Sequence, residues 1–78
     1  MNVGMLWFDG DVTRDVPERI HRAAEYYRTK YGRQPNVCIL HPVSAGEGMP
    51  GEVEGLKVLT SATVLRDHFW LGVDEGRA

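Results

Sequence analysis

Asp9-Gly10-Asp11-Val12-Thr13 directly follows the apolar run Met5-Leu6-Trp7-Phe8. Two carboxylates at the tip of a strand can do chemistry. One, held in line, attacks a phosphorus centre, and the other protonates the leaving group, with a divalent cation between them. Asp9 and Asp11 are therefore the weak catalytic candidates of this chain. The competing reading is structural, because carboxylates gather at helix starts to cap free N–H groups and meet the positive end of the dipole. A calcium loop is a third reading of Asp9, Asp11, Thr13 and Asp15. It fails because an EF-hand needs Gly at its sixth place and Glu at its twelfth, and Arg14 and Ile20 stand there.

The D-x-D-x-T string resembles the first motif of haloacid-dehalogenase-type phosphatases. The resemblance implies a nucleophilic Asp9, an acid/base Asp11 and Mg²⁺. That family also needs a downstream Ser or Thr, a Lys, a further acidic pair and a sheet of five or more parallel strands. A chain of 78 residues does not hold that scaffold. Gly46-Glu47-Gly48-Met49-Pro50-Gly51 spells the G-x-G-x-x-G of dinucleotide sites. Pro50 and Gly55 leave no room for the helix whose N-terminus would receive the pyrophosphate, and Glu47 would face it. His21, His41 and His68 lack ligand spacing, and one Cys cannot complete a zinc set. No metal and no cofactor is expected. Cys38, between Val37 and Ile39, reads as a small buried hydrophobe.

Binding residues are the next candidates. Tyr26, Trp70 and the loop residues Glu47 and Met49 are the expected protein-interaction set, since aromatic side chains carry much of the energy of interfaces. Arg19, Arg22, Arg28 and Arg33 form a basic set that could track phosphates. Residues 14–33 carry a net charge of +3 and the remainder −5, for −2 overall. An acidic chain is a poor nucleic-acid binder, and Glu18 and Glu25 offer the arginines ion pairs within the helix.

The elements that position these residues are legible. Met5–Phe8 reads as a strand. Val16, Ile20, Ala23, Ala24, Tyr27 and Tyr31 recur at helical spacing and predict a helix over 16–31. Asp15 is its N-cap, Glu18 the capping-box partner, Pro17 sits in the first turn, Gly32 supplies the C′ position and Pro35 blocks continuation. Residues 36–41 predict a central strand, 56–60 a third and 68–73 a fourth. Residues 42–55 read as a Gly/Pro-rich loop, 61–67 as either a helical turn or a bent strand, and 74–78 as a frayed tail. Trp7, Tyr27, Tyr31 and Trp70 are expected mostly in the core.

The sum is a single α+β domain of order β-α-β-loop-β-β. One amphipathic helix packs on one face of a three- or four-stranded mixed sheet, the first two strands forming a parallel pair. The other face needs solvent, the Gly-rich loop or another chain. The expected partner is a second copy (a homodimer) or another protein, with nucleic acid and membrane disfavoured. Residues 1–8 lack the basic region of a signal peptide, and no apolar run approaches the roughly 18 residues of a membrane helix. A cytoplasmic, non-enzymatic interaction protein is the resulting expectation.

The string from Ala24 to Cys38 (AEYYRTKYGRQPNVC), with an LWF-D strand before it and an HFW-LG strand after it, resembles short bacterial proteins of no assigned activity. That resemblance covers most of the chain and implies no catalytic residue, cofactor or ligand.

Overall fold

The computed structural model describes residues 4–74. In chain order the elements are β1 (Gly4–Phe8), α1 (Val16–Tyr31), β2 (Val37–Leu40), α2 (Pro42–Ala45), β3 (Glu52–Val53), β4 (Leu56–Thr60) and β5 (His68–Gly72). The fold is α+β, with one main helix on a five-stranded mixed sheet of order β1-β5-β2-β4-β3. The strand count exceeds the expected three or four because part of the Gly/Pro-rich stretch is structured. Pro42 starts the short α2, and β3 pairs with β4 through a two-residue turn. Glu54 (φ 51°) and Gly55 (φ 85°) both take positive φ in that turn, the signature of a tight hairpin whose twist matches its strands.

α1 follows its local signals. The Asp15 carboxylate accepts from Glu18 N–H at 2.9 Å. Gly32 takes φ 73°, and its N–H donates to Arg28 O at 2.8 Å. The capping box is only half made, since the Glu18 carboxylate pairs with Arg14 Nε at 3.3 Å. The predicted stripe holds at Ile20, Ala23, Ala24 and Tyr27, all buried, but Tyr31 is exposed and stacks at the helix end against Tyr27. Trp7 and Trp70 are half-buried rather than core residues.

β2 is the central strand, parallel to β4 and antiparallel to β5. β5 is antiparallel to β1 as well. β1 and β2 therefore run in the same direction, yet they are not neighbours: β5 lies between them. The expected strand-helix-strand pair is opened by one position, and the last strand fills the gap. Residues 61–67 form neither helix nor strand. They make turns in which the Ser61 hydroxyl accepts from Thr63 N–H at 3.2 Å. Asp74 is clipped rather than frayed, its N–H donating to the Asn36 side chain at 2.8 Å. Residues 75–78 of the expected frayed tail lie outside the described residues.

The core sits between α1 and one face of the sheet. Met5, Cys38, Leu40, Val53, Leu56, Val58, Phe69 and Leu71 meet Ile20, Ala23, Ala24 and Tyr27 there. Alternation along the strands then sends Leu6, Phe8, Trp70, Ile39 and Leu59 to the opposite face.

Candidate functional site

Two places concentrate the candidate residues. The first is the end of the sheet where β1, β2 and β4 finish and α1 begins. Arg19 is only 4 % exposed there, although it belonged to the expected basic surface. Its position explains the withdrawal: it stands three residues after Val16 and four before Ala23, at the border of the apolar stripe. Its Nη2 donates to the backbone carbonyl of Asp9 and, at 3.1 Å, to the Asp67 carboxylate. Its guanidinium lies 5.2 Å from the Phe69 ring centre. Nε is buried without a hydrogen-bond partner, with the Asp9 carboxylate 3.9 Å away. Asp67 holds φ 60°, an unfavourable conformation for a residue with a Cβ. Three contacts hold it there. Its N–H donates to Ser44 Oγ at 2.8 Å, its carboxylate takes Arg19, and its carbonyl accepts Asp9 N–H at 2.9 Å. Arg19 thus ties together the exit of β1, the start of α1 and the entry of β5.

The two catalytic candidates are engaged in the same local work. The Asp9 carboxylate accepts Asp11 N–H at 2.9 Å. Asp11 accepts both the N–H and the hydroxyl of Thr13, and pairs with Arg14 Nη1 at 2.8 Å. The Thr13 hydrogen bonds, with Arg14 beside them, hold the Asp11 carboxyl below its ordinary value. These are turn-forming and capping contacts, the local roles carboxylates near a helix start ordinarily take. Gly46 and Gly48 of the glycine string follow α2 instead of preceding a helix, and lead into β3. No N-terminus stands where a phosphate would lie. Glu47 and Met49 line a groove with the first turn of α1, and Met49 packs partly against the core. Among the described residues, no three His, Cys, Asp or Glu groups converge as metal ligands.

His41 directly follows Leu40 and His68 directly precedes Phe69, its partner in register, so these two lie at neighbouring strand ends, but each of the three histidines is separately engaged. His41 accepts Val43 N–H at 2.9 Å, capping α2. His68 sets its Nδ1 2.9 Å from Arg66 O and its ring against Phe8. His21 Nδ1 lies 2.7 Å from the Glu54 carboxylate, which pushes the His21 pKa up. Burial pushes the Cys38 thiol up to about 12, so it holds no thiolate at neutral pH. Of the remaining arginines, Arg28 pairs with Glu25 at 2.9 Å, and Arg22 and Arg33 are exposed.

The second place is the sheet face away from α1. Leu6 is in register with Trp70, Trp70 with Ile39, and Ile39 with Leu59. One apolar row therefore crosses four strands. Its outer members are the most open: Leu6 is 56 % exposed and Leu59 42 %, and the neighbouring Phe8 is 62 % exposed. The Trp70 indole lies against Gly4, where a Cβ would come within 1.8 Å of it. Of the expected interaction residues, only Trp70 is in this row. Tyr26 is on the helix side, stacked 4.7 Å from Trp7, and Glu47 and Met49 are in the groove beside α1. Sequence reasoning missed Leu6, Phe8, Ile39 and Leu59. Their alternate spacing was visible, but which alternate set the helix would cover was not.

No family model, curated protein or solved structure matches this chain. No helix among the described residues is long and apolar enough to cross a membrane.

Proposed function

We propose that this chain is a non-enzymatic protein-interaction module that works through the open face of its sheet, as a homodimer or as a component of a larger assembly. The row Leu6–Trp70–Ile39–Leu59 carries the reading. A contiguous apolar patch on a small chain is costly to leave in water and marks an interaction surface. The other candidate chemistry supports it less. Asp9 and Asp11 take part in turns, Arg19 is buried, and Arg28 is paired with Glu25, so the phosphate-tracking alternative loses two of its four arginines. A cytoplasmic setting belongs to the same proposal, consistent with a single Cys held as a thiol in the core.

The test compares three baits in a lysate of the source cells: the wild-type chain, Leu59→Lys on the open face, and Val43→Lys as an exposed apolar control off that face. A protein held by the wild type and by V43K but lost with L59K supports the reading. Identical capture by all three baits overturns it.

A further inference from the structure

We infer that the outer edge of β1 is a self-association edge, where a second copy of this chain pairs antiparallel about a two-fold axis to make one continuous ten-stranded sheet. The inference concerns the rim of the sheet and stands apart from the open-face reading above, sharing with it only that the chain acts by association. It starts from the two rims of the sheet, which are unlike. β3 has two residues, preceded by Pro50-Gly51 and followed by Glu54, with Glu52 exposed on it. That is a guarded rim. β1 has five residues, Gly-Met-Leu-Trp-Phe, in unbroken register with β5. It carries no charge, no Pro and no bulge, so β1 itself holds none of these devices against edge pairing.

Hydrogen-bond parity says which groups face outward. Asp9 N–H donates to Asp67 O, which continues the β1·β5 register in which Phe8 faces His68. In an antiparallel ladder, hydrogen-bonded and non-bonded positions alternate. Met5, Trp7 and Asp9 therefore turn their backbone groups to β5. Gly4, Leu6 and Phe8 turn theirs to the open rim. A two-fold antiparallel pairing centred on Leu6 brings Leu6 against its own copy and Gly4 against Phe8 of the other chain. Every outward N–H and C=O of the strand then finds a partner. A shift of two residues that sets Leu6 against Phe8 leaves Gly4 opposite Gly10, outside β1, and a shift of one faces bonding groups with non-bonding ones. The centred register also places the smallest side chain of the strand opposite its largest exposed one, with Phe8 meeting the Trp70 ring that lies against Gly4.

Charge and continuity favour a copy as the occupant. β1 is neutral, so two copies meet there without repulsion. The axis is perpendicular to the sheet, so both helices lie on one side and both open faces on the other. The apolar row then runs unbroken from Leu59 of one copy through Leu6 to Leu59 of the next. On the helix side, the Trp7–Tyr26 pair of each copy flanks the seam, which gives the 49 % exposed Tyr26 a use. The interface is isologous, as closed dimers require.

Sedimentation equilibrium of the full chain between about 1 µM and about 1 mM tests it. The mass is expected to rise from 8.8 kDa to twice that with concentration. Leu6→Pro removes an outward N–H and no bond to β5, so it is expected to keep the monomer's circular dichroism and stay at the monomer mass. Leu59 lies three strands from β1, and Leu59→Lys is expected to dimerise like the wild type even if it loses open-face partners. A chain that is monomeric throughout, or a dimer lost in L59K and kept in L6P, overturns the edge pairing. Should L6P unfold, amide exchange in the wild type decides. Leu6 and Phe8 N–H groups slowed at high concentration support the seam, and concentration-independent exchange there overturns it.

Discussion

At the scale of single residues, Arg19 holds more of the molecule together than any other charged group. Burying an arginine costs desolvation that its ion pairs and hydrogen bonds must offset, and removing it strands the carboxylates that faced it. Asp9, with its side chain 10 % exposed, would lose its cation, and Asp67 would lose the contact that keeps it at positive φ. Arg19→Ala is expected to lower unfolding free energy by about 3 kcal/mol, read as a lower urea midpoint. His21 offers a pH readout. Its folded pKa is raised above 6.5 by the Glu54 carboxylate. The folded state thus holds the proton more tightly, so the pair's stabilisation is complete below pH 6.5 and is lost as pH rises through the raised value. An NMR titration of His21 should give a midpoint above that of an unfolded reference, and Glu54→Gln should bring it back. Both groups are open to water, so added salt should shrink the difference.

At the scale of elements, α1 and β1 behave differently under substitution. α1 is specified locally by Asp15, Gly32 and its apolar stripe. Gly32→Ala meets no neighbouring atom but forces a Cβ into φ 73°, so a loss of about 1 kcal/mol is expected, without structural change. In β1 the constraint is a neighbour. A Cβ on Gly4 would meet the Trp70 ring at 1.8 Å, and backbone or ring must move. Gly4→Ala is expected to cost about 1–3 kcal/mol and to shift Trp70 fluorescence, which Gly32→Ala leaves unchanged. The hairpin at Glu54-Gly55 shows why part of the chain was illegible. β3 is two residues long and has no periodicity to detect, and the tight turn uses Glu where Asn or Asp is usual. Gly55 placed immediately before a strand was the one available signal.

At the scale of the whole molecule, Cys38 reports on global opening. It is fully buried, and its thiol is pushed up to about 12. Alkylation at pH 8 should therefore be far slower than in denaturant. Arg19→Ala should speed it by the same free energy that lowers the urea midpoint, provided opening is fast relative to reaction. The sheet also has one covered and one open face, and among the described residues no second helix of α1's length closes it. That geometry turns the marginal stability expected of a short chain into a specific surface, the row from Leu6 to Leu59.

Local signals suffice for α1 with both caps, for the strands β1, β2, β4 and β5, and for the α+β class. Each of these is written in neighbouring residues: a capping carboxylate three positions from an N–H, a period of 3.6, or an apolar run closed by Pro or Gly. Only the tertiary structure decided that β5 enters between β1 and β2. The same holds for the burial of Arg19 against Asp9 and Asp67, and for the alignment of Leu6, Trp70, Ile39 and Leu59 into one row. Those outcomes depend on inter-strand register, and register is set by hydrogen bonds between residues as far apart as Asp9 and Asp67. The pairing of Asp9 and Asp11 shows the same division. Their spacing was visible as possible chemistry, but only the placement of Thr13, Arg14 and Arg19 around them showed that the carboxylates were already committed to holding the turn.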